Sequence, residues 1–112
     1  MYGCDICQDV CPWNQAAPVS RDPAWQPREG LDSPRLIDLW KRRDAELHEL
    51  VDGSAMTRPK LTGLRRNIAV AMGNSRAAGM AAALDASGGP DSPSLDDPVV
   101  REHVAWARER TG

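Results

Sequence analysis

Phenylalanine is missing from this 112-residue chain, tyrosine occurs once, and aromatic residues make up only 4% of it. Tryptophan, present four times, is the main source of rings. The apolar bulk comes instead from leucine, isoleucine, valine, methionine and much alanine, a composition that favours short, closely packed helices. Histidine is scarce too. His48 and His103 lie far apart, so the cysteine pair described below has no matching second pair of the kind a zinc site uses. Long apolar runs are also lacking: the longest uncharged small-residue stretch, Ala77 to Leu84, is far shorter than the roughly 20 residues that span a bilayer. No membrane partner is expected. An odd count of three cysteines, with no signal peptide visible, speaks against a disulfide framework and for a reducing, cytoplasmic compartment.

One more absence is local. The formal net charge is only −2, yet no acidic residue occurs between Asp52 and Asp85. That stretch carries Arg58, Lys60, Arg65, Arg66 and Arg76, so a basic face is possible on a mildly acidic chain. A charge run is often no more than a solvated face. Here the arginines lack nearby sequence partners, which would leave Arg58, Lys60, Arg65 and Arg66 free for phosphates. Arginine suits bidentate phosphate binding, whereas an A-form stem is recognised by shape and backbone, so no base specificity is expected of these positions.

What is present is concentrated at the start. Cys4, Cys7 and Cys11 fall in one eight-residue window, and Pro12 follows the last of them. Bacterial-type ferredoxins use the run C-x2-C-x2-C-x3-C-P, whose last cysteine ligates the other cluster of a pair. The segment here, C-x2-C-x3-C-P, supplies the second, third and fourth positions, and the first would lie before Met1. By this logic Cys4 and Cys7 share one four-iron cluster while Cys11 reaches across to a second. Two such clusters need about eight thiolates. The remaining ligands must therefore come from an upstream region or a partner chain.

Three segments follow from punctuation and periodicity: residues 1–14 as half of a double-cluster module, 15–32 as a proline-rich connector, and 33–112 as a helical region. Pro18, Pro23, Pro27 and Gly30 forbid regular structure in the connector, which Trp13 and Trp25 would anchor to a neighbouring surface. A first helix is expected from Ser33 as cap and Pro34 as first residue, burying Leu36, Ile37 and Trp40 and ending near Lys41-Arg42-Arg43. A second would be capped by Asp44, bury Leu47, Leu50 and Val51, and break at Asp52-Gly53-Ser54. The third is the clearest, with Leu61, Leu64, Ile68 and Met72 in helical register, Arg65 and Arg66 off that stripe, and Gly73-Asn74 as its stop. A fourth runs from Ser75 with Ala77, Met80, Ala81 and Leu84 inward. Ser87-Gly88-Gly89-Pro90 makes a flexible loop, and Asp97-Pro98 opens a last helix through Val99, Val100, Val104 and Trp106 toward Arg110. No strand signal competes. The expected fold is mainly α, a ferredoxin-like cluster loop followed by a HEAT-like helical repeat. His48 and His103 are expected on helix surfaces or in packing, Asn67 as a structural hydrogen bonder, and Trp40 and Trp106 in the core.

The segment Tyr2-Gly3-Cys4-Asp5-Ile6-Cys7-Gln8-Asp9-Val10-Cys11-Pro12-Trp13-Asn14 resembles the second cluster motif of epoxyqueuosine reductases, cobalamin-dependent iron-sulfur enzymes of tRNA modification. Gly53 to Met56, Leu64 to Asn74 and Asp97 to Ala107 are similar, in the same order, to that family's C-terminal helical repeat. The resemblance implies reduction of epoxyqueuosine to queuosine in tRNA, with electrons passing through two four-iron clusters to cobalamin. It places Cys4 and Cys7 on one cluster and Cys11 on the cluster nearer the cobalamin. The cobalamin pocket and the proton-donating acid belong to a part of the family with no counterpart in this sequence, so no catalytic residue transfers. A standalone HEAT-like interaction module, or an electron-transfer subunit without catalytic activity, is the alternative.

Overall fold

A computed structural model describes residues 2–86 and 90–111. Met1, Gly112 and three residues of the expected loop, Ser87, Gly88 and Gly89, lie outside this description. Among the described residues the chain is mainly helical and without strands. Its α-helices are α1 (Ile6–Asp9), α2 (Leu36–Lys41), α3 (Asp44–Val51), α4 (Lys60–Ser75), α5 (Met80–Asp85) and α6 (Pro98–Thr111). Single 3-10 turns occur at Pro23–Trp25, Ala55–Thr57 and Pro93–Asp96. The radius of gyration, 15.7 Å, exceeds the roughly 13 Å of a compact chain this long, because the segment before α2 adds length without core.

The core lies in α2 to α6. Leu39, Trp40, Leu47, Val51, Leu64, Ile68, Ala69, Met72, Met80, Ala83, Leu84, Val100 and Ala107 form one buried cluster. Helices α4 and α6 share the largest contact, and Gly73 makes it possible: a Cβ there would sit 2.8 Å from the Trp106 ring and 2.9 Å from the Ala107 Cα. Gly73 is thus a close-approach glycine inside α4 and does not stop the helix as expected. The stop falls at Arg76, whose φ of 51° is left-handed.

Other boundaries shift for equally local reasons. Ser33 has a left-handed φ of 50° and cannot act as the expected cap, so α2 begins later, at Leu36. Asp44 is the first residue of α3 and not its cap; the Glu46 carboxylate caps that helix by accepting the Arg43 N–H at 2.8 Å. The helix expected from Ser75 is α5 and starts only at Met80, behind Gly79 (φ 85°), leaving Ala77 exposed. Two signals hold as read: Asp97 Oδ1 accepts the Val99 N–H at 2.9 Å ahead of Pro98, and α3 ends at Val51 before Asp52-Gly53-Ser54.

Candidate cluster-binding loop and nucleic-acid face

The cysteine loop is built by its backbone. Gly3 (φ 73°) and Asp5 (φ 56°) turn left-handed, and the Asp5 carbonyl accepts the N–H groups of Gln8 and Asp9 at 2.8 and 3.0 Å, winding the single turn that carries Cys7. Downstream, the Asn14 amide donates to the Gln8 carbonyl at 3.2 Å and to its side-chain Oε1 at 2.6 Å, closing the loop around Cys11. Cys4 and Cys7 are exposed and Cys11 is half-buried, all as free thiols. Long-range bonds tie this end to the helices: the Tyr2 hydroxyl donates to the Ala55 carbonyl at 2.7 Å, and the Arg28 guanidinium to the Asp52 carbonyl at 2.5 Å. Both land on the turn between α3 and α4. No sequence signal marks a partnership across 53 residues, and neither was expected.

The connector is exposed, with Trp13 88% and Trp25 77% accessible, so neither is buried against this chain's own helices. Together with Ile6, Val10 and Val19 they make the segment before α2 rich in uncovered apolar side chains.

The expected phosphate-binding set divides. Arg58 and Lys60 are exposed at the start of α4, Arg66 is half-buried with its guanidinium on Asn67 Oδ1 at 2.8 and 3.1 Å, and none of the three pairs with a carboxylate among the described residues. Arg65 is the correction. Its side chain is 0% exposed and points into the fold, donating to the Trp40 carbonyl at 2.6 Å, the Arg42 carbonyl, Asp44 Oδ1 at 3.1 Å and Ser94 Oγ at 3.4 Å, with its guanidinium 5.6 Å from the Trp40 ring centroid. Ser94 completes the cluster: its hydroxyl and its N–H both donate to Asp44, at 2.6 and 2.7 Å. Burial pushes the Asp44 carboxyl up, but the Ser94 hydroxyl and N–H and the Arg65 guanidinium outweigh it and hold the group below the usual carboxylate range. Burial also lowers Arg65, against the pull of Asp44. Arg65 therefore ties α2, α3 and α4 together and is unavailable to phosphate.

Of the two tryptophans expected inside, Trp40 is buried and its indole N–H donates to the Ala83 carbonyl at 3.2 Å. Trp106 is 37% exposed and lines a groove between α4 and α6, with Arg110 stacked over its ring at 5.0 Å. His103 sits beside it on α6, and His48 is exposed on α3.

Sequence comparison places the chain. It is 36% identical over 108 residues to an epoxyqueuosine reductase of Shigella dysenteriae, covering 96% of this chain and 27% of that protein. The chain belongs to the epoxyqueuosine reductase family. Relatives of the same name from Shewanella oneidensis and Pseudomonas aeruginosa are each 37% identical across the whole chain, which corresponds to 28% and 30% of their lengths. The chain thus spans little more than a quarter of the reductases it matches. No family model matches it, and no solved structure does.

The thiols fit the family's cluster chemistry in part. Among the described residues no three Cys, His, Asp or Glu side chains converge to hold a metal. Three thiols are fewer than the four ligands of one four-iron cluster, so ligation here would have to be completed from outside the chain.

Proposed function

We propose that this chain is the electron-relay and tRNA-docking part of an epoxyqueuosine reductase, which reduces the epoxide of epoxyqueuosine in tRNA to the alkene of queuosine. The observation that carries this is the match to reductases over 96–100% of the chain, combined with three free thiols on one short loop. Bound four-iron clusters supply single-electron transfer to cobalamin held elsewhere in the reductase. The chain's own residues hold and orient. Cys4 and Cys7 ligate one cluster and Cys11 the other, while Asp5, Gln8 and Asn14 set the loop's shape through the bonds above. Arg58, Lys60 and Arg66 contact the tRNA backbone, and the paired helices α2 to α6 support a HEAT-like reading of that scaffold. Such a protein works in the cytoplasm, and no described helix is long and apolar enough to cross a membrane.

The test uses a reductase that includes this chain. Cys4→Ser and Cys11→Ser are each expected to lower bound iron and stop turnover; iron content equal to wild type in both would end the cluster assignment. One observation favours the second reading, a helical interaction module: the core contains no cysteine and lies entirely in α2 to α6. Under that reading the iron-free chain keeps stable helix by circular dichroism, and an unstructured apo chain removes it.

A further inference from the structure

The groove between α4 and α6 is lined by Val70, Glu102, His103 and Trp106 and encloses about 280 Å³. Its aromatic member is held in place from several sides. The Trp106 ring lies against the α4 backbone at Gly73, where even a methyl group would collide at 2.8 Å. The Arg110 guanidinium stands over the ring at 5.0 Å from its centroid and is not among the groove's lining residues. His103 is fixed by its Nδ1 contact of 2.7 Å with the Val99 carbonyl, which leaves Nε2 as its free edge. The ring is thus braced between α4 and Arg110, and the residue still remains 37% exposed where it lines the groove.

The charges around it select a ligand. Arg110 stands one helical turn beyond Trp106 on α6, and Arg66 one turn before Val70 on α4; neither pairs with a carboxylate among the described residues. Guanidiniums flanking an exposed ring are the combination that single-stranded nucleic acid requires, with cations for the phosphates and an aromatic face for a base. The guanidinium already on Trp106 disfavours a second cation there, and Glu102 at the edge can accept N–H groups of a base. A double-stranded stem offers no open base to such a groove.

We infer that the α4–α6 groove is a nucleobase-stacking site, in which Trp106 receives an unstacked base from a single-stranded RNA segment, Glu102 and His103 meet its edge, and Arg66 and Arg110 meet the adjacent phosphates. The inference rests on the RNA-docking reading above and deepens it, because it adds a contact to a base where the start of α4 offers only contacts to phosphate.

The test measures binding of the 112-residue chain to a labelled RNA hairpin with a single-stranded loop, to the same hairpin with abasic loop positions, and to the stem duplex alone. Wild type is expected to bind the intact loop about tenfold more tightly than the abasic one. Trp106→Leu should bind both hairpins equally, and Trp106→Tyr should restore most of the difference, which a merely structural role would not do. Helix content by circular dichroism identifies a Trp106→Leu chain that has failed to fold, and in that case the abasic comparison on wild type decides alone. Tight binding that ignores the loop bases would overturn the stacking site and leave phosphate docking standing. Absence of binding to all three RNAs would overturn both.

Discussion

Arg65 illustrates how much one buried cation can organise in a chain with few large side chains. Its guanidinium donates to the Trp40 and Arg42 carbonyls at the end of α2, and it neutralises Asp44 at the start of α3. Removing one partner of such a pair strands the other, so Arg65→Ala is expected to cost about 3–5 kcal/mol, and Arg65→Lys should recover little because a single ammonium cannot reproduce the fork. Urea denaturation of the two variants checks this; a loss under about 1 kcal/mol for Arg65→Ala would show that the network is dispensable. The same cluster predicts an acid limb. Asp44 is lowered in the folded chain, so on acidification the unfolded chain takes up the proton first. Its contribution is complete above the unfolded value of about 4 and is lost as pH falls from there through the lower folded value. Asp44→Asn should flatten the pH dependence of stability in that window, and an unchanged slope would assign the acid limb to other carboxylates. From the sequence Arg65 reads as a phosphate ligand, since a run of cations without adjacent acids shows nothing of a partner 21 residues away.

At the scale of elements, the Asp97 cap was legible from its own few residues, whereas the Ser33 and Asp44 caps and the features that depend on a neighbouring helix were not. The Asp97-Pro98 start of α6 rests on a side chain reaching two residues ahead, and the structure keeps it. Asp97→Ala should cost about 1 kcal/mol, read as a drop in thermal midpoint, because α6 would lose the acceptor for its first N–H groups. Gly73 is the opposite case. A glycine late in a helical pattern reads as a stop, yet its absent side chain is what lets Trp106 and Ala107 approach. Gly73→Ala would improve intrinsic helix propensity and still destabilise by about 1–3 kcal/mol, since the overpacking falls on backbone and ring atoms. A stabilised variant would mean that α4 and α6 separate more easily than their contact implies. The cysteine spacing was visible for the same reason as Asp97: the loop is shaped by bonds within its own stretch, from Asp5 to Asn14.

The whole molecule divides its labour along its length, with the thiols, two of them exposed, and uncovered apolar side chains before α2 and a closed core after it. The Tyr2 and Arg28 bonds bring the first part onto the turn from Asp52 to Ala55, directly ahead of Arg58 and Lys60. The proposed cation face beside the cysteine loop would bind RNA on a chain of net charge −2 only through local concentration of charge, so its signature is the dependence of affinity on salt. Each phosphate contact contributes close to one unit to the slope of log affinity against log salt concentration. Lys60→Ala and Arg66→Ala should therefore each reduce the slope by about one and weaken binding alike for stems of different sequence. Arg65 must be left intact in that series, because its loss would act through the fold and lower affinity without being a contact. A slope unmoved by either substitution would make these cations an ordinary solvated face, and it would remove Arg66 from the phosphate contacts proposed for the Trp106 groove.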